Sequence, residues 1–189
     1  GGTLRVTGTG DTTTDRALSL VSNGAIDIAD AGNRFTWNGA ITGAGGFTKL
    51  GAGTLVLDHA NSYTGATVVG AGTLALADSA AIGSGGLSLR DGSTLSLTNG
   101  VVLANTVDVA GSANVDVATG ADATLSGNVT DGASTGSLVK TGTGTLRVTG
   151  NAAYTGSATI DAGTLYVGDG STHGVLPLDI VNRGALVLD

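Results

Sequence analysis

The chain has 189 residues and a mass of 18.1 kDa, which is enough for one domain with a sizeable core. Glycine contributes 34 residues and threonine 28, glutamate and glutamine are absent, and proline occurs once. This composition argues against helices, because helix interiors favour residues that the chain lacks. The hydrophobic fraction of 41% argues against a disordered linker, and no apolar run approaches the ~18 residues of a transmembrane helix.

Charge and cysteine content exclude further classes of protein. The net charge is −7, and such a surface repels phosphate backbones and anionic lipid head groups. We therefore expect no nucleic-acid partner and no direct insertion of this segment into a membrane. The absence of cysteine excludes a disulfide framework and a thiolate metal site. No signal peptide is present, so we expect a mature chain or an excised piece.

Short alternating runs follow one another along the chain, and each predicts a β-strand. In 54–57, 73–76 and 94–97, apolar residues alternate with small or polar ones, and Gly, Asn, Asp or Ser bounds each run. The first apolar residues of successive runs are Leu4, Ile26, Leu55, Leu74, Leu95, Val115, Leu146, Leu165 and Leu186. Most steps between these positions are similar in length, and each half of the chain has one longer step, from Ile26 to Leu55 and from Val115 to Leu146.

The short repeats are grouped into a longer repeat. Residues 45–76 align without a gap on residues 136–167, and 13 of the 32 positions are identical. The correspondence extends in both directions with small changes in length at turns. We predict a single β-helix segment over 1–189, with units at approximately 17–105 and 106–189 and with 1–16 as the tail of a preceding unit.

A β-repeat of about 20 residues favours a parallel β-helix among the repeat folds. A propeller blade needs roughly 40 residues, and the stretch from Leu50 to Asn61 does not fit a leucine-rich frame. We predict an all-β, right-handed parallel β-helix (β-solenoid) of about nine coils, roughly 45 Å long. Both ends are ordinary repeat strands, so we expect a fragment without natural caps.

The motifs of the longer repeat resemble a known family. G-x-G-T-L, Y-T-G and A-G-T-L occur in order within 43–74 and again within 136–165. This pattern is similar to the passenger-associated transport repeat of bacterial autotransporters, also called the autotransporter-associated β-strand repeat. The resemblance implies a type V secreted passenger with a right-handed parallel β-helix, exported to the surface of a Gram-negative bacterium. It also implies a C-terminal outer-membrane barrel elsewhere in the same protein.

The resemblance implies a structural stalk that supports secretion and folding and that presents an adhesin-type virulence factor. One alternative is that this segment itself binds a host-surface molecule or a second passenger. A second alternative is a polysaccharide-active β-helix enzyme with a calcium-binding aspartate cluster, for which Asp27, Asp30, Asp108 and Asp116 are the candidates. We favour the stalk, and we expect no catalytic residue, no cofactor and no metal ion.

Other residues have a functional and a structural interpretation. His59 and His173 lack a catalytic constellation and are interpreted as solvated turn residues. The turns 8–11 and 168–170 are similar to calcium-binding rolls but lack their repeated frame, so we interpret them as solvated turns. Lys49 and Lys140, the only lysines, could mark a ligand surface, but we favour cations that face a loop and pair with a turn aspartate. Tyr63 and Tyr154 are expected to pack at a coil corner rather than to bind sugar, and Asn128 begins a weak N-glycosylation pattern.

Overall fold

The computed structural model describes residues 1–168 and 179–189. These residues form β-strands and turns with no helix, and thus none that is long and apolar enough to span a bilayer. His173 and most of the 168–170 turn lie outside the described residues. The all-β prediction is confirmed.

The strands are short, apart from two long ones near the middle of the chain. In chain order they are β1 (Thr3–Val6), β2 (Thr12–Thr14), β3 (Leu18–Ser19), β4 (Gly24–Ile28), β5 (Arg34–Trp37), β6 (Ile41–Thr42), β7 (Phe47–Leu50), β8 (Thr54–Leu57), β9 (Thr67–Val69), β10 (Thr73–Leu76) and β11 (Leu87–Leu89). They continue with β12 (Thr94–Leu97), β13 (Val102–Leu103), β14 (Val107–Val117), β15 (Asp122–Leu125), β16 (Val129–Thr141), β17 (Thr145–Val148), β18 (Ala152–Ala153), β19 (Ala158–Ile160), β20 (Thr164–Val167), β21 (Ile180–Asn182) and β22 (Ala185–Leu188).

The strands stack in three parallel series, which we call stacks A, B and C in the order in which the chain visits them. Stack A contains β1, β4, β7, β9, β11, the first parts of β14 and β16, and β18. Stack B contains β2, β5, β8, β10, β12, the second parts of β14 and β16, β19 and β21. Stack C contains β3, β6, β13, β15, β17, β20 and β22, and residues 62–64 continue it from β6 through main-chain hydrogen bonds.

The register gives the length of one coil. Thr12 and Asn182 stand at the two ends of one column of stack B, with seven residues between them in register. Eight steps therefore join position 12 to position 182, which gives about 21 residues per coil and, at ~4.8 Å per step, a span of about 38 Å. The parallel β-solenoid is confirmed, with about eight turns between the end rungs. The right-handed sense and the unit boundaries stay predictions.

The core runs along the axis as columns of inward side chains. In stack B one such column contains Phe35, Leu55, Leu74, Leu95, Val115, Lys140 and Ile160, all of them buried. Every second residue of a strand points inward, so a narrow coil fills its interior mostly with Leu, Val and Ile. Two aromatic pairs widen the core in the first half: Phe35 with Trp37 and Phe47 with Tyr63.

The two sequence units lie on different faces of the solenoid. Ile26 in stack A corresponds to Val115, which lies in stack B. Four coils separate β4 from the first part of β14 in stack A. Val115, the equivalent of Ile26, lies in the second part of β14, which is one face beyond that point. One unit therefore spans four coils and one face, and the second unit is rotated by about a third of a turn. The long steps from Ile26 to Leu55 and from Val115 to Leu146 are each one coil plus one face.

Corners use glycine where the coils approach each other closely. Gly51 and Gly142 have φ values of 77° and 71°, which L side chains rarely adopt. A Cβ at Gly51 would lie 2.1 Å from the carbonyl oxygen of Ile28 in the coil below. A Cβ at Gly142 would lie 2.2 Å from the carbonyl oxygen of Val117. Each of these corner glycines lies two residues after one of the two lysines, Lys49 and Lys140.

Candidate functional site: two lysine corners and the outer faces

The two lysines do not face loops, so that prediction was wrong. Lys49 and Lys140 are fully buried, and each occupies an inward position of its strand. Lys49 lies in register between Ile26 below and Val69 above, and Lys140 lies between Val115 and Ile160. Their aliphatic stems continue the apolar columns, because four methylenes pack as a hydrocarbon chain does.

The Lys49 ammonium ends at a corner of two successive coils. Its Nζ donates to the carbonyl oxygens of Leu50 at 2.9 Å, Gly51 at 2.9 Å and Ala71 at 3.1 Å. Leu50 and Gly51 follow the lysine in its own coil, whereas Ala71 lies at the same corner of the next coil. We call Lys49 with these three carbonyls the first lysine corner.

The second lysine corner repeats this arrangement on another edge of the solenoid. Lys140 Nζ donates to Thr141 O at 2.5 Å, Gly142 O at 2.7 Å and Ala162 O at 3.4 Å. The first corner joins stacks A and B, and the second joins stacks B and C. The same local bonds therefore form at two edges, as the rotation between the sequence units requires.

Burial and a nearby carboxylate act on each lysine in opposite directions. Desolvation lowers the pKa of Lys49 to about 8, and the negative charge of Asp27 partly opposes that shift. Desolvation also lowers the pKa of Lys140, again opposed by a carboxylate, that of Asp116. Neither carboxylate lies within ion-pair distance of a lysine in the described residues. Carbonyl oxygens, rather than an ion pair, receive the protons of each ammonium.

This geometry makes the lysines structural. An ammonium has three protons, and the three carbonyl oxygens accept all of them. The side chains are closed to solvent, so no substrate reaches the amine. The two lysines are therefore not a ligand surface; they connect the main chains of adjacent coils. The alternation of side chains along a strand could have shown this. Lys49 comes two residues after Phe47, which points inward, so Lys49 must also point inward.

Both tyrosines are buried: Tyr154 lies at the corner after β18, as predicted, whereas Tyr63 lies in the 62–64 rung of stack C. Tyr63 is fully buried, and its hydroxyl is hydrogen-bonded to Thr67 Oγ1 at 2.6 Å. Burial raises the pKa of the Tyr63 phenol well above its usual value, and the Thr67 bond only partly counters this shift. Tyr154 is 5% exposed, and burial raises its pKa too. Rings this deep offer no face to a sugar.

The four candidate aspartates do not come together. Asp27 lies on β4 and contacts Arg5 at 3.3 Å, whereas Asp108 lies four rungs further along stack A. Asp108 accepts a hydrogen bond from Thr130, and Asp116, in stack B, accepts from Ser96. Across 1–168 and 179–189, no three acidic or histidine side chains are grouped as metal ligands. The aspartate cluster that the enzyme alternative requires therefore does not form as a single site in the described residues.

The remaining candidates lie on the surface. His59 is exposed, and its Nδ1 is 2.6 Å from Asp58 Oδ1. The 8–11 turn is exposed, and the side chain of Asn33 in the next coil bonds to the main chain of Gly8 and Gly10. Asn128 is exposed, and its Oδ1 accepts a bond from the Asn151 amide at 3.3 Å. These side chains bond to neighbouring coils or residues and form no convergent group.

Sequence reasoning missed a protruding loop in the second unit. Val109 pairs with Asp131 and Gly111 with Gly136, so β16 carries three more residues than β14 at this corner. Asp131 binds the loop by accepting from the amides of Gly136 at 2.8 Å and Thr155 at 3.0 Å. Hydrogen bonds from the Thr155 hydroxyl and from these two amides lower the pKa of Asp131. The signal for this loop was the change in alignment offset between the two units, which grows across this part of the chain.

Sequence reasoning also missed a polar strip on stack C. Arg147 Nε lies 3.1 Å from both carboxylate oxygens of Asp122 in the coil below. Its guanidinium carbon lies 4.5 Å from the ring centre of Tyr166 in the coil above, whose hydroxyl donates to Asp189 at 2.7 Å. The strip links four coils across a partly exposed face. In it the charge of Arg147 is paired with that of Asp122, and Asp189 accepts a bond from the neutral Tyr166 hydroxyl.

The comparisons with known proteins agree with this architecture. The passenger-associated-transport-repeat family model matches the chain twice, at residues 47–76 and 138–167. The adhesin BmaC autotransporter of Brucella suis biovar 1 (strain 1330) is 39% identical over 177 residues, which cover 87% of this chain and 5% of that relative. No solved structure matches the chain. The chain belongs to the bacterial autotransporter passengers that carry passenger-associated transport repeats.

Proposed function

We propose that this segment is a stalk of a surface-exposed autotransporter passenger. The supporting observation is the uninterrupted parallel ladder, in which stack B alone has nine rungs in register. A ladder in which each coil bonds to the next resists bending, and its length grows by ~4.8 Å with each coil. Such a rod can hold another part of the passenger away from the cell.

Export and partners follow from the same proposal. The passenger leaves the cell across the outer membrane of a Gram-negative bacterium, and its own C-terminal barrel is the partner that anchors it. The chain lacks cysteine, so no disulfide can form while the chain is unfolded in an oxidising compartment. Coils that pair outside the cell bury apolar columns, and this burial opposes backsliding of the chain.

Direct adhesion by the segment is the second candidate function. It is favoured by one observation, the adhesin name of a relative that is 39% identical. That relative is far longer, since the chain covers 5% of it. The exposed loop at 132–135 would be a contact for a host molecule under this alternative.

Competition separates the two functions. Bacteria that display the full-length passenger are bound to host cells while the purified 1–189 chain is added in large excess. A stalk does not compete, so adhesion stays unchanged. A loss of adhesion would overturn the stalk and establish direct binding.

Removal of one coil in the full-length passenger provides the complementary test. Residues 77–97 form one complete step of stack B, since Leu76 and Leu97 are in register. An in-frame deletion of this step keeps the ladder continuous, so the stalk account predicts normal surface display and normal adhesion. A deletion that abolishes adhesion while display is normal would contradict a spacer role.

A further inference from the structure

Each family match contains one complete lysine corner. The match at 47–76 contains Lys49 and all three of its carbonyl acceptors, and the match at 138–167 contains Lys140 with its three. Each match covers about one and a half coils, from an inward lysine strand to the equivalent corner of the next coil. A match limited to a single coil would omit the third acceptor.

The third acceptor makes the lysine dependent on its neighbour. Leu50 O and Gly51 O belong to the coil of Lys49, but Ala71 O arrives only when the next coil is in place. Without that coil, one proton of a charge at the end of an apolar column has no protein acceptor. In that state water accepts the third proton, and the apolar column beside the lysine stem is open to solvent. The next coil supplies both the third acceptor and the apolar cover, so the lysine coil is less stable alone.

The carbonyls depend on the lysine in return. Gly51 and Ala71 lie outside the strands, and in the described residues their carbonyl oxygens accept no main-chain hydrogen bond. The ammonium is the donor that they have there. Donor and acceptors from two coils thus complete each other, and the lysine joins the two corners more specifically than apolar contact does.

We propose that each passenger-associated transport repeat is a two-coil folding unit that its buried lysine completes. The coil that carries the lysine reaches its full stability only with the coil on its C-terminal side. This inference concerns how the chain folds, and it holds whether the segment is a stalk or an adhesive surface.

Neighbouring coils without a lysine provide the internal contrast. The equivalent position of the column above Lys49 is Val69, and the next is Leu89. The coil of β11 and β12 therefore has no buried ammonium that joins it to the next coil. Its polar contacts with that coil include the bonds that Asn105 donates to the carbonyl oxygens of Gly83 and Gly85. We expect 47–76 to open as one unit, 138–167 as another, and the coils between them separately.

Native-state hydrogen exchange of the intact chain, followed by mass spectrometry at increasing urea concentration, tests the proposal. In the unmodified protein, amides of 54–57 and 73–76 should lose protection at the same urea concentration. In Lys49→Met, the corner amides at 51–53 and 70–72 should exchange at least tenfold faster. The strands 54–57 and 73–76 should then lose protection at different urea concentrations. Leu89→Met is the matched control, because it places the same side chain in the same column without removing an ammonium.

Two results would overturn the proposal. One is an unmodified chain in which 54–57 and 73–76 open at clearly different urea concentrations. The other is a Lys49→Met variant whose exchange pattern equals that of Leu89→Met. If Lys49→Met does not fold, Lys140→Met gives the same test at 138–167, and the profile of the unmodified chain decides without any substitution.

Discussion

The repeats at 47–76 and 138–167 share their motifs but not their place on the solenoid. Lys49 precedes the edge between stacks A and B, and Lys140 precedes the edge between stacks B and C. Each nevertheless donates to two carbonyls of its own corner and one of the next coil. The repeat therefore specifies a corner and its neighbouring coil rather than a particular face.

The two repeats differ in how they pack around the tyrosine. In the first, Tyr63 contacts the Phe47 ring, with centroids 5.6 Å apart, and bonds to Thr67. In the second, Ala158 stands at the position of Thr67, and Leu138 stands at the position of Phe47. The lysine corner is thus the constant part of the repeat, and the tyrosine surroundings are the variable part.

The largest expected effect comes from the corner glycines. We expect Gly51→Ala to lower the free energy of unfolding by about 4 kcal/mol, because its Cβ would meet Ile28 O at 2.1 Å and its φ is 77°. Gly92→Ala is the control, since Gly92 has a φ of 69° but nothing within 4 Å, and we expect about 1 kcal/mol. Urea unfolding measures both. Equal losses in the two variants would show that the coils do not approach closely at Gly51.

Removal of either lysine has the next largest effect. We expect Lys49→Met and Lys140→Met each to lose about 2 kcal/mol, because the unpaired carbonyls cost more than the released burial of the charge gains. Similar losses in the two variants, measured by urea unfolding at pH 7, would support equivalent corners on different edges. A methionine variant that is more stable than the parent would contradict the account.

The pKa of Lys49 gives a pH dependence with a definite sign. The folded-state pKa of about 8 lies below the unfolded value of 10.5, so the unfolded chain binds more protons between these values. The free energy of unfolding should therefore rise by about 2 kcal/mol between pH 7.5 and pH 9.5. Above about pH 10, stability should fall again, because Tyr63 and Tyr154 ionise more readily in the unfolded chain.

Urea unfolding at a series of pH values measures this dependence. In Lys49→Met the rise should shrink to the smaller contribution of Lys140. A parent protein whose stability is flat or falls between pH 7.5 and pH 9.5 would show that Lys49 is not desolvated.

The smallest expected effect concerns the tyrosine pair. Thr67→Ala should cost about 1 kcal/mol, because it leaves the buried Tyr63 hydroxyl without the partner seen at 2.6 Å. In the second repeat, Ala158 stands at the position equivalent to Thr67, so Ala158→Ser is the control that adds a hydroxyl where Thr67→Ala removes one. Thermal unfolding compares the variants. A Thr67→Ala protein as stable as the parent would show that the Tyr63 bond contributes nothing.

Much of the fold follows from sequence, because strands and corners are local. Alternation placed Leu55, Leu74 and Leu95 in one column, and the structure places them in register. In the sequence, the rotation between the units left only one sign, the long spacings from Ile26 to Leu55 and from Val115 to Leu146. A spacing alone does not say which face of the solenoid the chain has reached. The lysines were misplaced because charge favours exposure in general, whereas here strand parity and three carbonyls outweigh that preference.

Disulfide trapping tests the rotation between the two units most directly, because the chain has no cysteine of its own. Ser96 and Asp116 are in register on stack B, and their side chains touch at 3.3 Å. Without the rotation, Asp116 would instead follow Arg90 on stack A, as its equivalent Asp27 follows Arg5. Parallel neighbours at ~4.8 Å lie within the Cα spacing of a disulfide. The account predicts that mild oxidation crosslinks Ser96→Cys with Asp116→Cys, and that Arg90→Cys with Asp116→Cys stays reduced. The opposite pattern would contradict it.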